Sequence, residues 1–390
     1  MEDESPPRAG VGADSPLEQG QATAVPPAAE SAGFGAKLKR LGSESLIYGL
    51  SSIVGRFLNY LLVPFYAHEF TASLNGVQAK VYTYIPMIYL VFYLGMDVAY
   101  MRNTAAKDGT HEDRQRAFSM SFGAILMVGG AIAALGALFA PEVGRLFRME
   151  PTVFRYMLAI VFSDALLAVP YAHLRMRNRA WRYALLRLLF VAVNLSLNIW
   201  LIAGLHWGVT AIFFSNLVAN LLVLVLLVPE LVRLFRPALV RGGPWKALWK
   251  YALPIMPAML AVSVVENGDL AVLNYLPDRV AQALYQLDSA EAVLGVFNFN
   301  YKLGVAMLLV VQMFRMAWTP FSLQHAEEPG APELYSRVLT ALMLVCSVVF
   351  LGVSLLLPVV VHIPWVYHIV KEPSYWQGLP IVPVILLAYM

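Results

Sequence analysis

Long apolar runs follow one another along the chain near residues 44–67, 81–101, 117–140, 153–173, 183–205, 209–229, 249–274, 292–316 and 336–360, and a tenth opens at about 379. Each complete run reaches the roughly 20 residues that a helix needs to cross the hydrocarbon core of a bilayer. None shows the period-two alternation that marks a strand of a membrane β-barrel. The pattern predicts an all-α integral membrane protein with nine full spans and a truncated tenth. The tenth run, residues 379–390, is too short to cross, so the chain is expected to be a fragment cut within a membrane helix.

The polar positions between the runs predict orientation. Lys37, Lys39 and Arg40 precede the first span; Arg102, Lys107, Arg114 and Arg116 follow the second; Arg175, Arg177, Arg179 and Arg182 follow the fourth; Arg233, Arg236, Arg241, Lys246 and Lys250 follow the sixth. The alternate loops hold far fewer, among them Lys80, Arg145, Arg148, Arg279 and Lys371. Basic loops stay cytoplasmic, so the N-terminus is expected inside. Residues 1–40, rich in proline and acidic residues, predict a disordered cytoplasmic tail. Residues 41–230 form an expected N-lobe of six spans, 231–248 a cytoplasmic linker marked by Pro237, Gly242, Gly243 and Pro244, and 249–390 an incomplete C-lobe. The short surface segment carrying Arg175, Arg179 and Arg182 is expected to meet anionic headgroups. Trp207, Trp365 and Trp376, with Trp245 and Trp249 at the other side, fit interfacial anchoring.

Composition narrows the function classes. The chain is 59% hydrophobic and 14% charged, with a mean hydropathy of +0.63. The net charge of +3 reflects the basic loops and implies no nucleic-acid partner. One cysteine, Cys346, excludes a disulfide scaffold, and the seven scattered histidines show no metal-ligand spacing. Every complete loop is about 20 residues or fewer, which leaves no room for an extramembrane catalytic region and argues against an enzyme.

Charges inside the spans are the candidate chemistry, because each costs at least a few kcal/mol and needs a partner, a wet cavity or a function. Arg56 lies near the middle of span one, on a polar stripe with Asn59 and Tyr60. It serves either to receive phosphate or another anion or to pair with Asp97 or Asp164. Span eight repeats the theme with Asn298, Tyr301 and Lys302, and Arg315 follows near its end. Glu266 and Asp269 share a face of span seven and either bind protons or Na⁺ or neutralise Lys302 and Arg56; Asp97 and Asp164 permit the same two readings. The pairs Asn194/Asn198 and Asn216/Asn220 suit interhelical hydrogen bonds or sugar contacts. No metal or organic cofactor is implied, and coupling to Na⁺ or H⁺ is open.

The second half carries Tyr251-Ala-Leu-Pro-Ile-Met-Pro257, Glu266-Asn-Gly-Asp-Leu-Ala-Val-Leu-Asn-Tyr275, Gly295-Val-Phe-Asn-Phe-Asn-Tyr-Lys-Leu-Gly304, Phe314-Arg-Met-Ala-Trp-Thr-Pro-Phe321 and Tyr375-Trp-Gln-Gly-Leu-Pro-Ile-Val-Pro383. In this order the segments resemble the polysaccharide-export flippases, the Wzx-like branch of the multidrug/oligosaccharidyl-lipid/polysaccharide transporter superfamily. The resemblance spans about 41–390 and is strongest at Tyr301-Lys302 and Ala317-Trp318-Thr319-Pro320. It implies a two-lobed, MATE-like helical bundle. The implied activity is alternating-access flipping of undecaprenyl-diphosphate-linked oligosaccharide across a bacterial inner membrane. The implied partners are that lipid-linked oligosaccharide, anionic lipids and polysaccharide assembly proteins. The pattern departs from the family at Leu270, where a basic residue often follows the acidic one. A lipid II flippase and a multidrug or cation antiporter of the same superfamily are the competing expectations.

Overall fold

The computed structural model describes residues 62–104, 111–241, 245–324 and 330–390, and no strand occurs among them. The expected tail and most of span one, including Arg56, Asn59 and Tyr60, lie outside the described residues; helical residues 62–69 are the end of that span. The first half continues with α1 (Ala72–Tyr93), α2 (Met96–Thr104), α3 (His111–Ala124), α4 (Gly130–Leu138), α5 (Ala140–Leu146), α6 (Pro151–Met176), α7 (Ala180–Ile199) and α8 (Thr210–Leu234). Single π-helical turns, Ile125–Gly129 and Trp200–Gly204, join α3 to α4 and extend α7. The second half holds α9 (Pro237–Arg241), α10 (Trp245–Leu273), α11 (Asp278–Tyr285), α12 (Ala290–Gly304), α13 (Ala306–Gln324), α14 (Ala331–Val361), α15 (Pro364–Tyr367) and α16 (Ile381–Ala388). Six helical stretches are long and apolar enough to cross a membrane, and two bent pairs raise the number to eight among the described residues.

The bent pairs correct the expectation of uninterrupted spans. The predicted 81–101 span begins instead at Ala72 and turns by 45° between α1 and α2. Leu94 and Gly95 both take left-handed backbone there, φ 56° and 64°, which ends the i to i−4 ladder. Gly95 is required twice over, since a Cβ would also stand 3.1 Å from the carbonyl oxygen of Ala252. Span eight likewise breaks after Gly304, with α12 and the following helix 44° apart. The described residues of the 231–248 segment are largely helical: α9 packs Val240 against Gly123, and Ser119 Oγ accepts the Arg236 amide at 2.9 Å. Trp245 and Trp249 pack against the main hydrophobic cluster and stay partly exposed.

That main cluster fills the first half between α1, α2, α3, α6 and α8, with Phe92, Phe118, Met120, Ile125, Met157, Ile160 and Phe213 essentially solvent-free. Outward faces are apolar: Val265, Val272, Leu344, Val348, Leu355 and Val359 stand exposed, as a surface solvated by lipid tails requires. Polar residues turn inward and pair across helices. Asn216 donates to Tyr82 Oη at 3.2 Å and Asn220 to Ser163 Oγ at 3.2 Å, which realises the interhelical reading of that pair.

At the end opposite the basic loops the two halves are knitted together. Helices α1 and α12 cross backbone to backbone, because Gly76 lies against Glu291 and Gly295 against Ala72. Tyr375, in the 3₁₀ turn Pro373–Gly378, donates its hydroxyl to the Phe70 carbonyl at 3.0 Å. Burial pushes that hydroxyl well above its ordinary pKa, so it stays protonated as a donor.

Candidate functional site

A cavity with a volume of about 430 Å³ lies in the first half. Helices α1, α2, α6, α7 and α8 wall it, and Met259 of α10 closes one side. Asp164 sits halfway along α6 and Arg175 eleven residues further on, roughly 16 Å along the axis at 1.5 Å per residue. The cavity therefore reaches from mid-span to the end that carries the basic loops.

Four charged side chains line it, two of each sign: Asp97, Asp164, Arg175 and Arg187. Arg175, in the last turn of α6, bonds Asp97 of α2 at 3.3 Å. The pair leaves Asp97 Oδ1 and Arg175 Nε buried without a hydrogen-bond partner, two polar atoms with spare capacity at the cavity wall. Arg187 is held differently. Its guanidinium lies 4.8 Å from the ring centre of Tyr171 and 5.9 Å from that of Tyr183, and those two rings meet edge to face at 5.2 Å. Stacking on aromatic faces orients the guanidinium, and Asp164, on the same cavity wall, interacts with its charge. Tyr89 and Tyr93, stacked at 5.0 Å on α1, and Asn220 complete the polar lining.

The structure divides the sequence-derived candidates. Asp97 and Asp164 line the cavity; Glu266, Asp269, Asn298, Tyr301, Lys302 and Arg315 do not. Asn298, Tyr301 and Lys302 share α12, with Asn298 buried and Tyr301 bonded hydroxyl to hydroxyl with Tyr389. Lys302 has no ion-pair partner among the described residues. Arg315 lies beyond the bend on α13. Glu266 and Asp269 are exposed on α10, and Asp269 accepts the amide of Leu270 at 2.7 Å; neither carboxylate pairs with Lys302. The arginines after span four form no single surface helix: Arg175 ends α6, Asn178 takes φ 53°, and Arg182 begins α7. Arg179 and Arg182 both bond Glu230, at 3.3 and 2.7 Å. Sequence reasoning passed over Arg187, although the signal was present as one basic residue inside an apolar run.

No protein-family profile and no curated protein sequence matches the chain. Solved structures do. A MATE protein in complex with MaD3S is similar at a TM-score of 0.56 and 16% identity, over 89% of this chain and 85% of that one. An outward-facing multidrug resistance MATE family transporter of the MOP superfamily gives 0.53 and 18%, over 89% and 84%. A MOP superfamily transporter from Pyrococcus furiosus, described as having a binding pocket of reverse polarity that suggests a different function, gives 0.51 and 15%, over 89% and 85%. At these identities the likeness is one of fold, and the chain is a multi-pass, all-helical membrane protein with the MATE fold.

Proposed function

We propose that this protein is a transporter that moves a lipid-linked oligosaccharide diphosphate, of the undecaprenyl type, from the inner to the outer leaflet of a bacterial cytoplasmic membrane by alternating access. The observation that carries the proposal is Arg187. Its guanidinium sits within a membrane-spanning helix and opens to a polar cavity, stacked on two tyrosines and facing Asp164 across the same wall. A guanidinium matches the geometry of a diphosphate, and Tyr89 and Tyr93 offer the aromatic faces that sugar ring C–H groups need. Arg56 and Lys302 are the further cations assigned to the path, with Asn59, Tyr60, Asn298, Tyr301 and Arg315 as polar wall. The polyprenyl tail stays in lipid while the headgroup enters. Asp97 and Asp164 are assigned to ion coupling, together with Glu266 and Asp269. In this reading the N-terminus is cytoplasmic, and polysaccharide assembly proteins supply the substrate and take the product.

A cavity carrying arginines differs from what a cationic drug would seek, and a reverse-polarity pocket has been linked to a different function in the Pyrococcus furiosus protein. The two aspartates on the same wall are the observation that favours the second reading, a cation or multidrug antiporter. Expression in an efflux-deficient host separates the readings: the flippase confers no drug resistance but restores surface polysaccharide to a strain lacking its own flippase. Resistance without restored polysaccharide would reverse the choice. Essentiality of its gene for peptidoglycan would point to lipid II instead.

A further inference from the structure

Lys80 was expected at a loop and is instead almost wholly buried in α1, with 3% of its side chain exposed. Its Nζ bonds Glu291 Oε1 of α12 at 2.6 Å and the Arg148 carbonyl at 2.7 Å. Arg148 takes left-handed backbone, φ 51°, and its guanidinium reaches across to the Asn274 and Leu276 carbonyls at 3.2 and 3.1 Å. One lysine and one arginine thus tie α1 and the turn before α6 to the end of α10 and the start of α12.

The contacts around them are of a kind that can part. Lys371 donates to the Glu69 carbonyl at 2.8 Å, Tyr275 to the Leu146 carbonyl at 2.7 Å, and Ala72 to Glu372 at 3.0 Å. These are exchangeable with water, while the Tyr375 hydroxyl on the Phe70 carbonyl and the Asn274 amide on Tyr84 Oη are buried beside them. Beneath them α1 and α12 cross at Gly76 and Gly295, next to an apolar cluster in which Val63, Ala67 and Ala72 meet Ala292, Val293, Val296 and Phe299. A permanent junction would be served as well by apolar residues of equal volume, whereas ions regain their hydration when the seam opens. Glu291 already has 30% of its side chain exposed, so water has a route in.

We propose that Lys80, Glu291 and the Arg148 carbonyl form the latch of a gate that closes this end of the bundle while the cavity communicates with the other end. The proposal rests on the transport reading, since only a transporter needs this end to open.

The test uses the full chain purified in detergent, with Ala72→Cys as a reporter. Ala72 is 1% exposed in the closed seam. Native Cys346 is fully buried in the separate cluster with Met307, Val382 and Leu386, and serves as the fold control. Labelling by a polar maleimide is read at both cysteines by peptide mass spectrometry. Lys80→Gln and Glu291→Gln should each speed labelling at position 72 by about tenfold while Cys346 stays unlabelled, a shift in an open/closed population. The charge-reversed pair Lys80→Glu with Glu291→Lys should slow it again. Unchanged labelling at position 72 in both single variants overturns the latch. So does labelling at both cysteines together, which would make the pair a folding element instead. No substrate is added, so a chain that opens normally yet moves no lipid-linked oligosaccharide would keep the latch and reject only the transport assignment.

Discussion

Replacing Gly295 by alanine drives a methyl group into the main chain of another helix. The added Cβ would stand 1.9 Å from the Ala72 carbonyl oxygen, 2.8 Å from its carbon and 3.0 Å from the Gly76 nitrogen. Comfortable contact needs about 3.5 Å, so α12 must retreat from α1 by about 1.5 Å. Backbone atoms cannot rotate aside as a side chain can. The same retreat lengthens the 2.6 Å Lys80–Glu291 bond to about 4 Å, beyond hydrogen-bonding range. Overpacking of this kind costs about 1–3 kcal/mol, and a clash with main chain belongs at the upper end. Alanine returns about 1 kcal/mol of helix propensity, leaving a net loss of about 2 kcal/mol. Unfolding in detergent micelles, followed by circular dichroism, reads this as a lowered midpoint. Gly352→Ala is the control, because its Cβ meets nothing within 4 Å on α14; it should hold or raise the midpoint. A Gly295→Ala midpoint equal to that of Gly352→Ala would refute the backbone crossing.

Three further outcomes follow from particular contacts. Asn300 is buried and its amide nitrogen donates to the Tyr375 and Val296 carbonyls at 2.7 and 2.8 Å; Asn300→Ala should lower stability by about 1–3 kcal/mol in the same unfolding assay, by leaving the Tyr375 carbonyl without its donor. Glu230→Gln loosens Arg179 and Arg182 at an exposed site and should change stability by no more than about 1 kcal/mol, with unfolding midpoints compared at low and high salt. Arg187→Gln should leave the midpoint within error of wild type while cutting flipping by more than about thirtyfold, the effect of losing a charged contact worth roughly 2 kcal/mol. Arg187→Lys should recover part of that activity, because the charge returns without the planar fork.

Much of the fold was legible because spans announce themselves by length and apolarity, and α6, α8, α10 and α14 overlie the runs that predicted them. The bends were not, since Leu94 gives no sign that it will adopt a left-handed backbone, and the 44° turn after Gly304 falls in the middle of the run 292–316. The Gly-Gly-Pro core of the expected linker lies outside the described residues, and the packing of the residues before it on Gly123 and Ser119 has no signal in the local sequence. Lys80 shows the limit of counting loop charges: its partner is 211 positions away, and nothing near Lys80 in sequence foretells burial. The site was partly legible. Asp97 and Asp164 stood out as charges inside spans, and the rule that found them applies equally to Arg187. Their gathering around one cavity is a property of helix packing, which no spacing along the chain encodes.

The central claim is flipping, and the leaflet distribution of undecaprenyl-diphosphate oligosaccharide tests it most directly. The measurement compares cells lacking the gene with cells carrying wild-type, Arg187→Gln or Lys302→Gln protein at equal level, with surface polymer quantified alongside. The account predicts cytoplasmic-leaflet accumulation and loss of surface polymer in the deletion, restoration by wild type, and failure of Arg187→Gln to restore either. Normal distribution of both pools in the deletion strain would contradict it and move export of a cationic solute to the front.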